Sequence, residues 1–448
     1  MDSKNLDNNS IFATYMAKNT TNNTNHFSFI DLFCGIGGFH QALTSIGGRC
    51  VFACDINEQC RTVYSQNFCP NGEFPVEKDI NVSIDENTIP PFDFLCAGFP
   101  CQTFSKAGNR NGFTVIQRSD GSTDERGRLF FRIIEILENH PECKFLLLEN
   151  VRNLADNKKN WAIICAELKK LDFIISEDPI IESPHHFGVP QIRERVYILG
   201  IRKNHFDNRR NLPLGYLTRD VLHLDQYLQP RSNKDSCLPT VMDSNVDSRY
   251  LVPEDINKLL STWEELRENT TGLSRPFWLQ YAGIGIKNRS LYLSNPNIAY
   301  NSMPEWKQRL VLRMRVFYEN NMKYIDSWVE EHKMMDKILL HQKFEWNAGD
   351  CYSMKDCIIQ IRQSGVRVKR PNFFPSLVAM NNTPIVWDSS ANHYRYFTPH
   401  ECAKLQSFTD GYKFSEIDSV TYRQLGNSVN VRILSILAKE LVKLGKKL

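Results

Sequence analysis

From Phe27 onward, short continuous apolar runs alternate with stretches in which apolar residues return every three or four positions. The runs "FSFIDLF" (27–33), "CVFACDI" (50–56), "FDFLCAG" (92–98), "KFLLLEN" (144–150), "FIISEDPII" (173–181) and "RVYILGI" (195–201) have the length and composition of buried strands. Leu129, Phe130, Ile133, Ile134 and Leu137 share one face of a helix over 128–140, and Trp161, Ile164, Cys165 and Leu168 do so over 157–172. This alternation predicts βαβ units: an α/β fold with a mostly parallel sheet and helices on both of its faces.

The rhythm stops near residue 205. Residues 206–390 mix charge, scattered aromatics and many Asn, with no strand–helix alternation and no repeat, which predicts a second domain of different construction. Helical periodicity returns over 421–445, around Val431, Leu434, Ile436, Leu437 and Leu441. Residues 1–25 are polar and read as a disordered arm.

Composition narrows this only slightly. The chain has 448 residues, more than one core usually serves, and its 42% hydrophobic and 23% charged residues are ordinary for a globular protein. A net charge of +3 does not mark a nucleic-acid binder, although basic residues gathered in one cleft would vanish into such a total. No signal-peptide pattern opens the chain, and no apolar run approaches the ~20 residues of a membrane span. The 13 cysteines include no Cys-x-x-Cys pair, and Cys351 and Cys357 stand apart from other candidate ligands. Reduced thiols, a cytoplasmic location and no metal are the expectation.

The chemistry is concentrated at strand ends. "DLFCGIGGF" (31–39) follows the first strand, and Gly35, Gly37 and Gly38 allow close backbone approach to a ligand. A GxGxxG dinucleotide fingerprint would need glycine where His40 stands, so that reading fails on spacing. Asp55 ends the second strand, where nucleoside-binding α/β folds place a carboxylate for ribose hydroxyls. Asp79 follows a third, short strand and could accept from an adenine amino group.

The stretch "AGFPCQTFSKAG" (97–108) puts Pro100 and Cys101 at the end of another strand, where open α/β sheets bind ligands. The polar run 106–127 after it carries Lys106, Arg110, Arg118 and Arg126, either a lid with phosphate contacts or a solvated loop. "LLLEN" ends on Glu149 and Asn150, and a carboxylate after three leucines needs a partner or a task. "PQIRERVYILG" supplies Gln191, Arg193 and Arg195 at alternating positions, either a functional face or a salt-bridged strand edge. Arginines near Cys101 would favour its thiolate, and a protonated Glu149 could donate to a ring nitrogen.

Six segments in order, "DLFCGIGGF", "GFPCQTFS", "ENV" (149–151), "QIRER" (191–195), "TPHECAKLQSF" (398–408) and "RQLGNSVNV" (423–431), resemble the motifs of the DNA (cytosine-5) methyltransferases of bacterial restriction–modification systems. The resemblance covers roughly 27–202 and 394–445. It implies a Rossmann-like S-adenosylmethionine-dependent sheet plus a smaller, irregular target-recognition domain. The implied divisions are an arm (1–25), a catalytic and cofactor domain (26–205), the recognition domain (206–393) and a returning segment (394–448).

By that resemblance Cys101 attacks C6 of a cytosine flipped from duplex DNA, with Pro100 orienting its loop. Glu149 contacts N3 and the exocyclic amine, Asn150 holds local geometry, and Arg193 and Arg195 support the base and the thiolate. Phe33, Gly35, Ile36, Gly38, Asp55, Ile56, Asp79, Ile80, Gly98, Leu129, Asn427, Ser428 and Val429 line the S-adenosylmethionine site, whose product is S-adenosylhomocysteine. Lys106, Arg110, Arg126, Gln191, Arg362, Arg367, Lys369 and Arg370 are the DNA-contact candidates. The implied setting is a monomer on double-stranded DNA, with a cognate restriction endonuclease acting on the same site. Cys34 departs from a usual Ala, His400 from a frequent Arg, and "SFTD" (407–410) from Gly-Phe-Pro-Asp. A tRNA cytosine-5 methyltransferase is an alternative, but the Cys-Phe-Thr tripeptide of that branch is missing. The intact Cys101, Glu149, Arg193 and Arg195 argue against an inactive DNA-binding regulator.

Overall fold

The computed structural model describes residues 27–100, 116–117, 123–124, 128–205, 217–229, 232, 234–379 and 383–447. They fall into two compact units. The first draws on described residues among Met1–Asn233, Pro375–Asn381 and Pro399–Leu448; the second comprises Lys234–Phe374 and Asn382–Thr398.

The first unit is built on an eight-stranded sheet. Its strands are β1 (Phe27–Leu32), β2 (Gly48–Cys54), β3 (Val76–Glu77), β4 (Phe94–Ala97), β5 (Phe145–Val151), β6 (Phe173–Ile175), β7 (Ile180–Glu182) and β8 (Arg195–Arg202). The order is β3-β2-β1-β4-β5-β8-β6, with β7 also on β8. The first five strands run parallel, whereas β8 is antiparallel to β5, β6 and β7.

The chain leaves β1 first toward β2 and β3, then returns to its other side with β4 and β5, which opens a crevice beyond the strand ends. Register aligns Leu32 with Cys54 and Ala97, and Ala97 with Leu148. The residues that follow, Phe33, Asp55, Gly98 and Glu149, therefore emerge along one edge.

Two expected elements divide. The apolar run 173–181 forms two strands, because Pro179 lacks an amide for the ladder and the Ser176 hydroxyl turns back to the Asp178 carbonyl. The periodic stretch 421–445 spans parts of two helices, Asp418–Asn427 and Val431–Lys447. Between them Asn430 accepts the Ile433 amide at 3.2 Å and starts the second helix afresh. Helices α1 (Gly38–Thr44), α2 (Glu58–Phe68), α3 (Ile80–Asp85), α4 (Leu129–Asn139) and α5 (Lys158–Lys170) cover the sheet. Phe130, Ile133 and Leu137 of α4, with Ile164 and Leu168 of α5, meet Leu95, Leu146 and Leu148 in the core. No described helix is long and apolar enough to cross a membrane.

The second unit, without legible alternation in sequence, holds a six-stranded sheet. Its strands are Phe277–Trp278, Lys343–Asn347, Ile358–Arg362, Gly365–Lys369, Ile385–Asp388 and His393–Tyr396. Phe344, Trp346, Val366, Val368 and Ile359 pack with Trp263 and Trp328 into a core of their own.

Candidate active site

The turn after β1 is shaped by steric necessity. Phe33, Gly35 and Gly37 have φ of 55°, 54° and 79°. A Cβ on Gly37 would stand 2.2 Å from Phe68 Cε2, and one on Gly38 would stand 2.5 Å from Val429 Cγ2. The backbone here can approach a ligand only because those side chains are missing.

Asp55 anchors this turn. Its Oδ2 accepts the Gly35 amide and its Oδ1 accepts the Asn57 amide, both at 2.8 Å. Burial raises its pKa, while the two amides and Arg61 pull the other way. Arg61 Nη1 donates to the Asp55 and Ile56 carbonyls at 2.8 and 3.0 Å, fixing the loop. Ile56 presents an apolar side chain that is 73% exposed. Asp79 caps α3 through the Asn81 amide at 3.0 Å, with Ile80 buried behind it.

Beyond β4, Gly98, Phe99 and Pro100 form the next segment of the edge. Asn150 Nδ2 donates to the Phe99 carbonyl at 3.1 Å, tying this segment to β5. Glu149 is 8% exposed and its Oε1 lies 3.0 Å from Arg195 Nε. Burial raises the Glu149 pKa, against the lowering pull of Arg195 and Arg193. The C-terminal residues Asn427, Ser428 and Val429 close the far wall.

Together these groups line a cavity of about 480 Å³, which also includes Phe33, Ile36, Leu129, Glu149, Arg193 and Arg195. A carboxylate cradle, an apolar face and a buried acid beside a guanidinium thus share one space, at the switch point of the sheet. The family model for C-5 cytosine-specific DNA methylase matches residues 27–443. The chain belongs to that family. It is a DNA cytosine-5 methyltransferase.

This methyltransferase is similar to Type II methyltransferase M.AluI of Cellulosimicrobium cellulans, 27% identical over 503 positions that cover 94% of this chain and 93% of the relative. It is 28% identical to M.HpaII of Haemophilus parainfluenzae, covering 97% and 94% of the two chains. M.HhaI of Haemophilus parahaemolyticus is 37% identical over 208 residues, 45% of this chain and 58% of that one. A solved structure titled as a putative DNA modification methyltransferase encoded within an E. coli prophage shares the fold, with a TM-score of 0.51 and 19% identity over 93% of this chain and 99% of that one.

The geometry brings all the predicted cofactor residues into one cavity wall. Cys101, Lys106, Arg110 and Arg126 lie outside the described residues. Two predicted site residues are buried. Gln191 was a DNA-contact candidate; its side chain is fully buried and does not reach the surface. Arg193 is 3% exposed, and its guanidinium reaches backbone carbonyls of the C-terminal segment.

In the second unit Arg367 Nε pairs with Glu345 at 2.6 Å and Arg370 with Asp350 at 2.8 Å, so both guanidiniums already hold carboxylates. Burial, with Arg367 and Arg362 nearby, lowers the Lys369 pKa. Burial and Arg367 lower that of Arg362.

Cavity residues missed from sequence include Cys54, Asn57, Cys60, Gln424 and Gly426. Gln424 and Gly426 sit inside "RQLGNSVNV", and Asn57 is the helix cap two positions after Asp55, so position alone could have suggested them. Burial pushes the Cys54 and Cys60 thiols up to about 12, which keeps them protonated and inert.

Proposed function

We propose that this cavity receives S-adenosylmethionine and a cytosine turned out of duplex DNA, with Cys101 as the nucleophile. The observation that carries the reading is the placement of Glu149 in the same cavity as the Asp55–Gly35 cradle, on the strand whose Asn150 holds the segment leading to Cys101.

The residues present fit the donor. Asp55 is oriented by two amides, so its remaining lone pairs suit vicinal ribose hydroxyls. Ile56 and Ile80 offer apolar surface to an adenine, and the Gly98 and Gly38 backbones leave room for the methionine portion. S-adenosylmethionine, when bound, supplies an electrophilic methyl group on a sulfonium.

Cytosine C5 is a weak nucleophile, and in a stacked duplex it is out of reach; flipping costs about a few kcal/mol. Addition of the Cys101 thiolate to C6, with Glu149 donating a proton toward N3, converts the ring into an enamine nucleophilic at C5. After C5 takes the methyl group, a base removes the C5 proton, the C6–sulfur bond breaks to expel the Cys101 thiolate, and N3 returns its proton to Glu149, which restores the aromatic ring. Arg195 holds the Glu149 carboxyl in place and limits its rotation. Holding both reactants in one cavity recovers orientation entropy otherwise lost.

Residues 206–393 serve as the target-recognition region, with Arg362 and Lys369 its DNA-contact residues. Likeness to Type II methyltransferases supports a place in a restriction–modification system, as a cytoplasmic monomer protecting host DNA beside an endonuclease of the same specificity. Bisulfite sequencing of DNA from an expressing host identifies the methylated site. A duplex carrying 5-fluorocytosine at that site, incubated with protein and donor, should yield an adduct that survives denaturation. Cys101→Ala should give none. Absence of an adduct with the unaltered protein overturns the covalent route.

A further inference from the structure

We infer that Arg193 is a positioning residue for the wall of the methyl-donor cavity, and does not touch the cytosine. This rests on the donor reading above. Nη1 donates to the Leu377 carbonyl at 2.7 Å and to Ser376 Oγ at 3.1 Å. Nη2 donates to the Ser428 carbonyl at 2.7 Å and to the Gly426 carbonyl at 3.1 Å. Each Nη carries two hydrogens and faces two acceptors, so none remains there for a pyrimidine. Arg195 differs: Nε goes to Glu149 and Nη1 to the Glu194 carbonyl at 2.9 Å, and among the described residues no hydrogen-bond partner meets Nη2.

A second, independent feature marks the same joint. A Cβ on Gly426 would stand 2.3 Å from the Val378 carbonyl carbon and 2.4 Å from its oxygen. The end of helix Asp418–Asn427 thus packs backbone to backbone on residues 377–379, and only glycine fits. Behind it Gln406 Nε2 donates to the Leu425 carbonyl at 2.9 Å. Residues 376–379 and 426–428 are therefore one joint, stapled by Arg193 and closed by Gly426, and its inner side forms cavity wall.

Loss of the staple or insertion of a methyl should open the joint alike. S-adenosylhomocysteine binding, measured by calorimetry, should weaken about tenfold or more in Arg193→Lys and in Gly426→Ala. Ser376→Ala removes one acceptor of four and should give a smaller rise in Kd, a test that survives if the other variants fold poorly. In steady-state kinetics, Arg193→Lys should raise KM for the donor more than it lowers kcat. Unchanged product binding in Arg193→Lys and Ser376→Ala, with a fall in kcat alone, would overturn the inference. Failure of the unaltered protein to bind S-adenosylhomocysteine would instead remove the donor reading beneath it.

Discussion

Glu149 and Arg195 meet across the antiparallel strands β5 and β8, with Oε1 3.0 Å from Nε, and both line the cavity. A carboxyl that burial pushes up and a guanidinium pulls down is suited to hold a proton and yet deliver it. Glu149→Gln should lower kcat by about 10²–10³-fold, the loss typical of one preorganised donor, and leave S-adenosylhomocysteine affinity unchanged. The raised pKa sets the sign of the pH dependence: the protonated form is depleted as pH rises through that value, so single-turnover methylation should fall along that limb. The Gln variant should lack the limb. A pH–rate profile on both proteins decides this.

Asp55 is the only carboxylate that joins the first two strand ends by hydrogen bonds among the described residues, through Gly35 and Asn57. Asp55→Ala leaves two amides without their acceptor and removes the proposed ribose contact. S-adenosylhomocysteine affinity should drop by about ten- to hundredfold by calorimetry. Circular dichroism should remain that of the unaltered protein.

Asp31, the penultimate residue of β1, is completely buried, and burial pushes its carboxyl well above the usual range. The native state therefore binds this proton more tightly than the unfolded chain does. The associated stability is complete below the unfolded value of about 4 and is lost as pH rises toward the native value. Asp31→Asn removes that titration. Its melting temperature relative to the unaltered protein should climb steadily as pH rises through that interval. A constant difference across pH would show that Asp31 is already ionised in the native state.

Hydrophobic periodicity was enough to locate β1, β2, β4, β5 and β8 of the first unit and two of its covering helices. A strand buried on both faces must be apolar throughout, and a covering helix must be apolar every third or fourth residue. The strand-end positions of Asp55, Glu149 and the glycine turn were equally legible, because they are local in sequence. Partner choice was not. Arg193 and Arg195 look alike in "QIRER", yet one staples carbonyls 184 to 235 positions away and the other holds Glu149.

The antiparallel course of β8 and the burial of Gln191 were likewise settled only when distant segments packed together. Local pattern determines which residues must leave water and which backbone shapes a turn allows. Which donor meets which acceptor depends on the hydrogen bonds and close approaches that burial makes obligatory, and these exist only in the assembled fold.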